Sequence, residues 1–163
     1  MEAHVNYKYG QEKIKDIPVE ELALFVMNAA NGLPKNAEVS ISFVDDEEIT
    51  ELNETFRNKI GPTDVLSFEC DGVADEEMIF DEDEDDVFEL GDVVIAVDVA
   101  ERQTKLYGTT LEEEISLLLV HGLLHLSGYD HIIEEEAEEM EALESVILNA
   151  WPERELCKYN VKF

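Results

Sequence analysis

Two periodicities share the chain. Val39-Ser-Ile41-Ser-Phe43 places an apolar residue at every second position, which predicts a half-buried strand. Val65-Leu-Ser-Phe68 predicts another strand. Val93-Val-Ile-Ala-Val97, an unbroken run rich in β-branched residues, predicts a well-buried one. Val5-Asn-Tyr7-Lys predicts a short edge strand. Elsewhere the spacing is helical. Leu22, Phe25, Val26 and Ala29 mark one face of a helix from Pro18 to Asn31, with Asp16 as candidate cap and Gly32 as stop. Ile49, Leu52 and Phe56 mark a second helix, Asp45 to Phe56, which Gly61-Pro62 breaks. A third runs from Val99 to Tyr107 and ends at Gly108. Thr110-Leu-Glu-Glu113 has the capping-box pattern and opens a helix that buries Ile115, Leu118, Leu119, Gly122, Leu123 and Leu126. The last helix, Glu134 to Ala150, has Met140, Leu143, Val146 and Ile147 as its core stripe, and seven glutamates between Glu134 and Glu144. The order β-α-β-α-β-β-α-α-α predicts an α+β (mixed α/β) fold, a single sheet of about four strands packed with helices. Residues 1–163 read as one domain, long enough to bury a real core.

One stretch fits neither period. Eleven of the nineteen residues from Asp71 to Glu89 are acids, and residues 71–89 read as an acidic insertion loop within the domain. The whole chain has 41 acids against 11 Lys and Arg, a net charge of −30. That balance argues against broad nucleic-acid binding, because phosphate contacts need cations. Cys70 and Cys157 form no C-x-x-C pair and no disulfide framework, so both read as reduced thiols. The N-terminus carries no apolar leader-like run. The longest stretch without a charge, Ile115 to Tyr129, is too short to span a bilayer. A cytoplasmic protein with no membrane association is the expectation.

Chemistry concentrates in His121-Gly-Leu-Leu-His125-Leu-Ser-Gly128-Tyr-Asp-His131, which holds three of the four histidines. His121 and His125 stand one turn apart on one helix face. Gly128 can end the helix, and a turn there would bring His131 back toward the first two. Packing explains such a triplet poorly, because each buried imidazole must satisfy two ring nitrogens. Three imidazoles with an open fourth position are a catalytic zinc pattern. The remaining histidine, His4, reads as an ordinary satisfied polar group. The triplet also has the spacing of the metzincin proteases, so Leu111 onward predicts a zincin-like metal helix. Their general base, however, follows the first histidine, and here that position is Gly122. Proteolysis by that route does not follow, while Lewis acidity and a lowered water pKa remain open to the metal. Glu114, two turns upstream, is too far away to serve as base. Asp64 and metal hydroxide alone remain as alternatives.

Four segments together resemble the bacterial YbeY family of zinc-dependent endoribonucleases. They are Leu52-Asn-Glu-Thr-Phe-Arg57, Pro62-Thr-Asp-Val-Leu-Ser-Phe68, Leu90-Gly-Asp-Val-Val-Ile95 and the histidine segment itself. They stand in the family's order and span about half the chain, from Leu52 to His131. The resemblance implies His121, His125 and His131 as ligands of one zinc ion per chain, and Arg57 in the active-site cleft. It implies single-stranded RNA as substrate, in maturation of the 16S ribosomal RNA 3′ end and in ribosome quality control, with the small ribosomal subunit or its proteins as partners. A guanidinium there would bind phosphate bidentately and offset charge growing on its oxygens. Thr63-Asp64 reads equally as cleft lining or as turn chemistry after Pro62. Asp130 reads as an outer partner to an imidazole or a solvated turn acid, and Gly91-Asp92 as the start of a strand. Arg57, Lys59, Arg102 and Lys105 would form a small positive lining. The competing expectations are a zinc hydrolase acting on a peptide or small ester, and a non-catalytic ribosome-assembly factor with structural zinc.

Overall fold

The computed structural model describes residues 1–30, 33, 35–70, 88–127, 142, 144 and 146. Among these, four strands form one sheet: β1 (Glu2–Tyr7), β2 (Ala37–Val44), β3 (Val65–Glu69) and β4 (Phe88–Ala96). The helices are α1 (Gln11–Ile14), α2 (Val19–Ala29), α3 (Asp46–Arg57), α4 (Val97–Tyr107) and α5 (Leu111–Leu126). The sheet order is β1-β2-β4-β3. β1, β2 and β4 run parallel, and β3 is antiparallel to β4 on the outer edge. The α+β expectation with four strands holds.

Strand alternation decides which helix goes where. Val39, Ile41 and Phe43 of β2, with Val93 and Ile95 of β4, join the main core with α2 and α5. Leu66, Val94 and Ala96 point to the other face and meet Ile49, with Leu52 packed alongside. The sheet is therefore covered on both sides, which is why β4 reads as a continuous apolar run rather than an alternating one.

The register of β4 has one irregularity, where Glu38 pairs with Glu89 but Val39 pairs with Gly91, leaving Leu90 extra. The bulge needs its glycine. Gly91 has φ +144°, and a Cβ there would lie 2.1 Å from the Phe68 carbonyl oxygen. Gly91-Asp92 thus sits inside β4 rather than at its start. The strand begins at Phe88, which is 5% exposed and part of the core, so the last two residues of the expected 71–89 loop pair as strand. Residues 71–87 lie outside the described residues.

Helix ends differ from expectation where tertiary contacts decide them. Pro18, not Asp16, is the N-cap residue of α2, and no side chain caps it. Its buried face runs through Val19, Leu22, Ala23, Val26 and Met27 and bypasses Ala29, which is exposed. α3 is capped by Asp45, whose side chain accepts from Glu48 N at 2.9 Å. It ends at Arg57, one residue past the expected Phe56, and the left-handed φ of 54° at Asn58 closes the last turn ahead of Gly61-Pro62. Buried Asn53 then donates Nδ2 to the Gly61 carbonyl at 2.9 Å, folding the following loop back on the helix. α5 has the full reciprocal capping box, Thr110 with Glu113, a feature worth about 0.5–2 kcal/mol. No helix among the described residues is long and apolar enough to cross a membrane.

Candidate active site

α5 brings two of the three motif histidines onto one face. It lies against α2, α4, β3 and β4. Gly122 is the point of closest approach: a Cβ there would come within 2.8 Å of Val93 Cγ1, and 3.4 Å from both Ser67 Oγ and Val65 Cγ2. This is a packing reason for glycine where a metzincin has its glutamate. The position faces the sheet, so a carboxylate would be driven into β3 and β4 rather than toward the histidines. His121 and His125, turned away from that contact, are both partly exposed. His131 and Asp130 lie outside the described residues.

His121 has a partner that composition conceals. Its Nδ1 donates to Glu144 Oε1 at 2.7 Å. Glu144 is 1% exposed, one of seven glutamates that the sequence places between Glu134 and Glu144. The hydrogen bond to Glu144 raises the His121 pKa above its ordinary value, aided by the charges of Glu144 and Asp64 and opposed by burial. With Nδ1 given to the carboxylate, Nε2 is the nitrogen this ring can offer to a metal. That is the carboxylate–imidazole arrangement that fixes tautomer and ring orientation at zinc sites. Of the expected core stripe of the last helix only Val146 can be placed, since Met140, Leu143 and Ile147 lie outside the described residues. Val146 is 63% exposed. Two residues on a helix are about 200° apart, so burying Glu144 against His121 turns Val146 outward.

Arg57 comes to β3 from the end of α3. It is the last residue of α3 and exposed. Its Nη2 donates to the Ser67 carbonyl, on the strand edge that β4 does not use, and its guanidinium lies 5.5 Å from the centroid of the Phe68 ring. Ser67 also donates Oγ to the Gly122 carbonyl at 3.3 Å. One buried serine thus ties the arginine to the helix turn that carries His121. Among the described residues Arg57 meets no carboxylate, although acids outnumber Lys and Arg almost four to one. Arg102 is different: it pairs with Asp46 at 2.9 and 3.1 Å and adds little positive charge to any lining.

The candidate bases sort themselves by partner. Asp64 Oδ1 accepts from Val65 N at 2.8 Å and Oδ2 from Gln103 Nε2 at 3.1 Å. Both oxygens hold structure, so Asp64 acts on His121 through its charge. Buried Glu114 accepts from Thr109 Oγ1 at 2.6 Å and anchors the start of α5, about 10 Å along the axis from His121. Sequence reasoning missed Glu144. The only hint of it was an acid just off an apolar stripe.

A second histidine–carboxylate group stands on the far edge of the sheet. Glu2, His4 and Glu38 bring ligand atoms within 4.8 Å of one another. Glu2 and His4 are exposed and Glu38 is half-buried.

Known proteins resemble this chain along most of its length. Residues 4–152 match the model of the family described as Endoribonuclease YbeY. A protein of that name from Heliobacterium modesticaldum is 41% identical over 138 residues, covering 84% of this chain and 83% of that protein. Its namesake from Bacillus licheniformis is 44% identical, covering 82% and 83%, and that from Moorella thermoacetica 43% identical, covering 82% and 89%. The solution structure of a Thermotoga maritima protein superposes with a TM-score of 0.57 at 22% identity, covering 99% of both chains, and so shares the fold.

Proposed function

The chain belongs to the YbeY family, and from that premise we propose that it is a metal-dependent endoribonuclease hydrolysing phosphodiesters of single-stranded RNA. Its expected place is the cytoplasm, in maturation of the 16S ribosomal RNA 3′ end and in ribosome quality control on the small subunit. The observation that carries the reading is the linkage through Ser67, which ties the exposed guanidinium of Arg57 to the α5 backbone at Gly122, the residue after His121. An exposed cation that meets no carboxylate among the described residues, tied to the helix that carries two imidazoles, suits a phosphodiester better than a peptide bond.

The donor set fits zinc. Two imidazoles stand a turn apart, one of them oriented by a buried carboxylate. His121, His125 and His131 would hold the ion. Zinc so held supplies Lewis acidity at a phosphoryl oxygen and makes hydroxide accessible near neutral pH. Arg57 binds the phosphate and offsets the negative charge that grows on its oxygens as the attacking oxygen approaches. Its pairing with the Ser67 carbonyl and the Phe68 face sets the guanidinium before substrate arrives, so less ordering is needed on binding. Glu144 keeps the His121 ring in one orientation. Gly122 lets α5 sit close against β3 and β4. Asp64 and Glu114 each accept hydrogen bonds from the fold, and no separate base is assigned.

Cleavage of single-stranded RNA by the purified, zinc-loaded protein, abolished by chelator, tests the reading. Arg57→Ala should lower turnover by roughly 100-fold while zinc content stays the same. Hydrolysis of peptides or small esters with no RNA cleavage would replace this reading by the competing hydrolase. Zinc without any hydrolysis would favour the assembly factor.

A further inference from the structure

We propose that Phe56 is a base-stacking platform of the RNA site, seating a nucleobase beside the phosphate held by Arg57; this rests on the endoribonuclease reading above. Phe56 is 61% exposed at the end of α3. Helical spacing places it on the apolar face with Ile49 and Leu52, yet it does not enter the core those residues form. It meets Phe68 instead, with ring centroids 5.4 Å apart and planes at 69°. An edge-on contact braces the ring while leaving much of it in water. Phe68 is also the ring over which Arg57 lies, so one side chain positions both neighbours.

The chemistry of the segment selects the occupant. Within five residues an exposed aromatic, two cations and a second exposed apolar side chain follow one another: Phe56, Arg57, Lys59 and Ile60, the last 96% exposed. Neither Arg57 nor Lys59 has a carboxylate partner among the described residues. Aromatic faces interleaved with cations are how single-stranded nucleic acid is held without sequence preference. Here the aromatic part carries more weight than usual. A chain of net charge −30 cannot gather many phosphate contacts, whereas base stacking needs no charge. The patch is continuous with the candidate site through Phe68, the neighbour of Ser67. An isolated protein-docking patch would not need the cations, and an acidic chain offers a basic partner better surfaces than this one.

The test uses the full zinc-loaded chain, with a short oligoadenylate and the same backbone carrying abasic riboses. Binding is followed by fluorescence anisotropy before cleavage proceeds, and KM and kcat from the cleavage time course. Phe56→Ala should raise Kd and KM about tenfold with a much smaller change in kcat. Phe56→Trp and Phe56→Tyr should restore both. The slope of log Kd against log salt should be unchanged in Phe56→Ala but shallower by about one in Arg57→Ala. Wild type and Phe56→Ala should bind the abasic oligomer alike. The proposal is overturned if Phe56→Ala binds oligoadenylate within about twofold of wild type, if it loses the abasic oligomer equally, or if the aromatic replacements fail to restore binding. If wild type itself neither binds nor cleaves single-stranded RNA, the endoribonuclease reading falls and takes this proposal with it. If wild type does both and Phe56→Ala matches it, only the stacking platform falls.

Discussion

At one end of the sheet His4 faces Glu2 and Glu38 at 3.7 and 3.4 Å. At the other, on the helix packed over β3 and β4, His121 faces Glu144 at 2.7 Å. The residue types are the same and the environments are opposite. The His4 and Glu2 side chains are 57% and 66% exposed, so water screens their attraction and competes for every lone pair. Glu144 is 1% exposed, and a carboxylate so placed must keep its hydrogen bond or bear the full cost of desolvation. Having histidine and carboxylate close together is therefore a poor indicator of a site. Burial of the carboxylate, with an imidazole held outward to solvent, is a better one.

The sharpest break of this comparison is removal of an imidazole from each region. His125→Ala should abolish one-per-chain zinc binding and lower RNA cleavage by more than the ~100-fold that loss of an outer partner costs. Metal analysis and a cleavage assay on the same sample check it. Retained cleavage without zinc would sink the metal mechanism. Next in size is the buried carboxylate. Glu144→Ala should weaken zinc by roughly 10- to 100-fold, read by competition with a chromophoric chelator. Glu144→Gln, which keeps a hydrogen-bond acceptor, should recover part of it. Equal zinc affinity in all three proteins would show that Glu144 only fills space.

Smaller again is a pH effect in the metal-free protein. Glu144 raises the His121 pKa in the folded state. A raised pKa gives stability that is fully present below the unfolded value of about 6.5 and is lost as pH rises through the folded value. Thermal melts of the metal-free chain should therefore decline across that window, and Glu144→Gln should flatten the decline. An unchanged slope in the variant would assign the effect to other groups. The smallest effect belongs to the exposed group: His4→Ala should alter stability by no more than about 0.5 kcal/mol and leave zinc content and cleavage unchanged. A fall in zinc stoichiometry on that substitution would show that the edge group holds metal after all.

Much of the frame could be read from local pattern. The alternation of Val39 to Phe43, the apolar run of β4, the Thr110 capping box and the Gly108 stop all involve residues within a few positions of one another, and each appears where expected. Errors gathered where a distant residue settles the outcome. Phe56 keeps the face of Ile49 and Leu52 yet stays 61% exposed, meeting Phe68 edge-on. Glu89 was read as loop because its acidic neighbours dominate the composition, although it pairs with Glu38.

The pair of histidines shows the same division. Their spacing of four on a capped apolar helix was fixed by sequence, since a helix converts spacing directly into a shared face. So was the absence of a protease-like base, because Gly122 has no side chain to offer. What sequence left open was why glycine stands there and what orients His121. Both answers come from partners far along the chain: Val93 and Ser67 packed against Gly122, and Glu144 hydrogen-bonded to the ring. Local periodicity determines the direction in which side chains point. Only the packing of α5 on the sheet, and of Glu144 on α5, decides which of those directions are buried, and burial gives a carboxylate or an imidazole its strength.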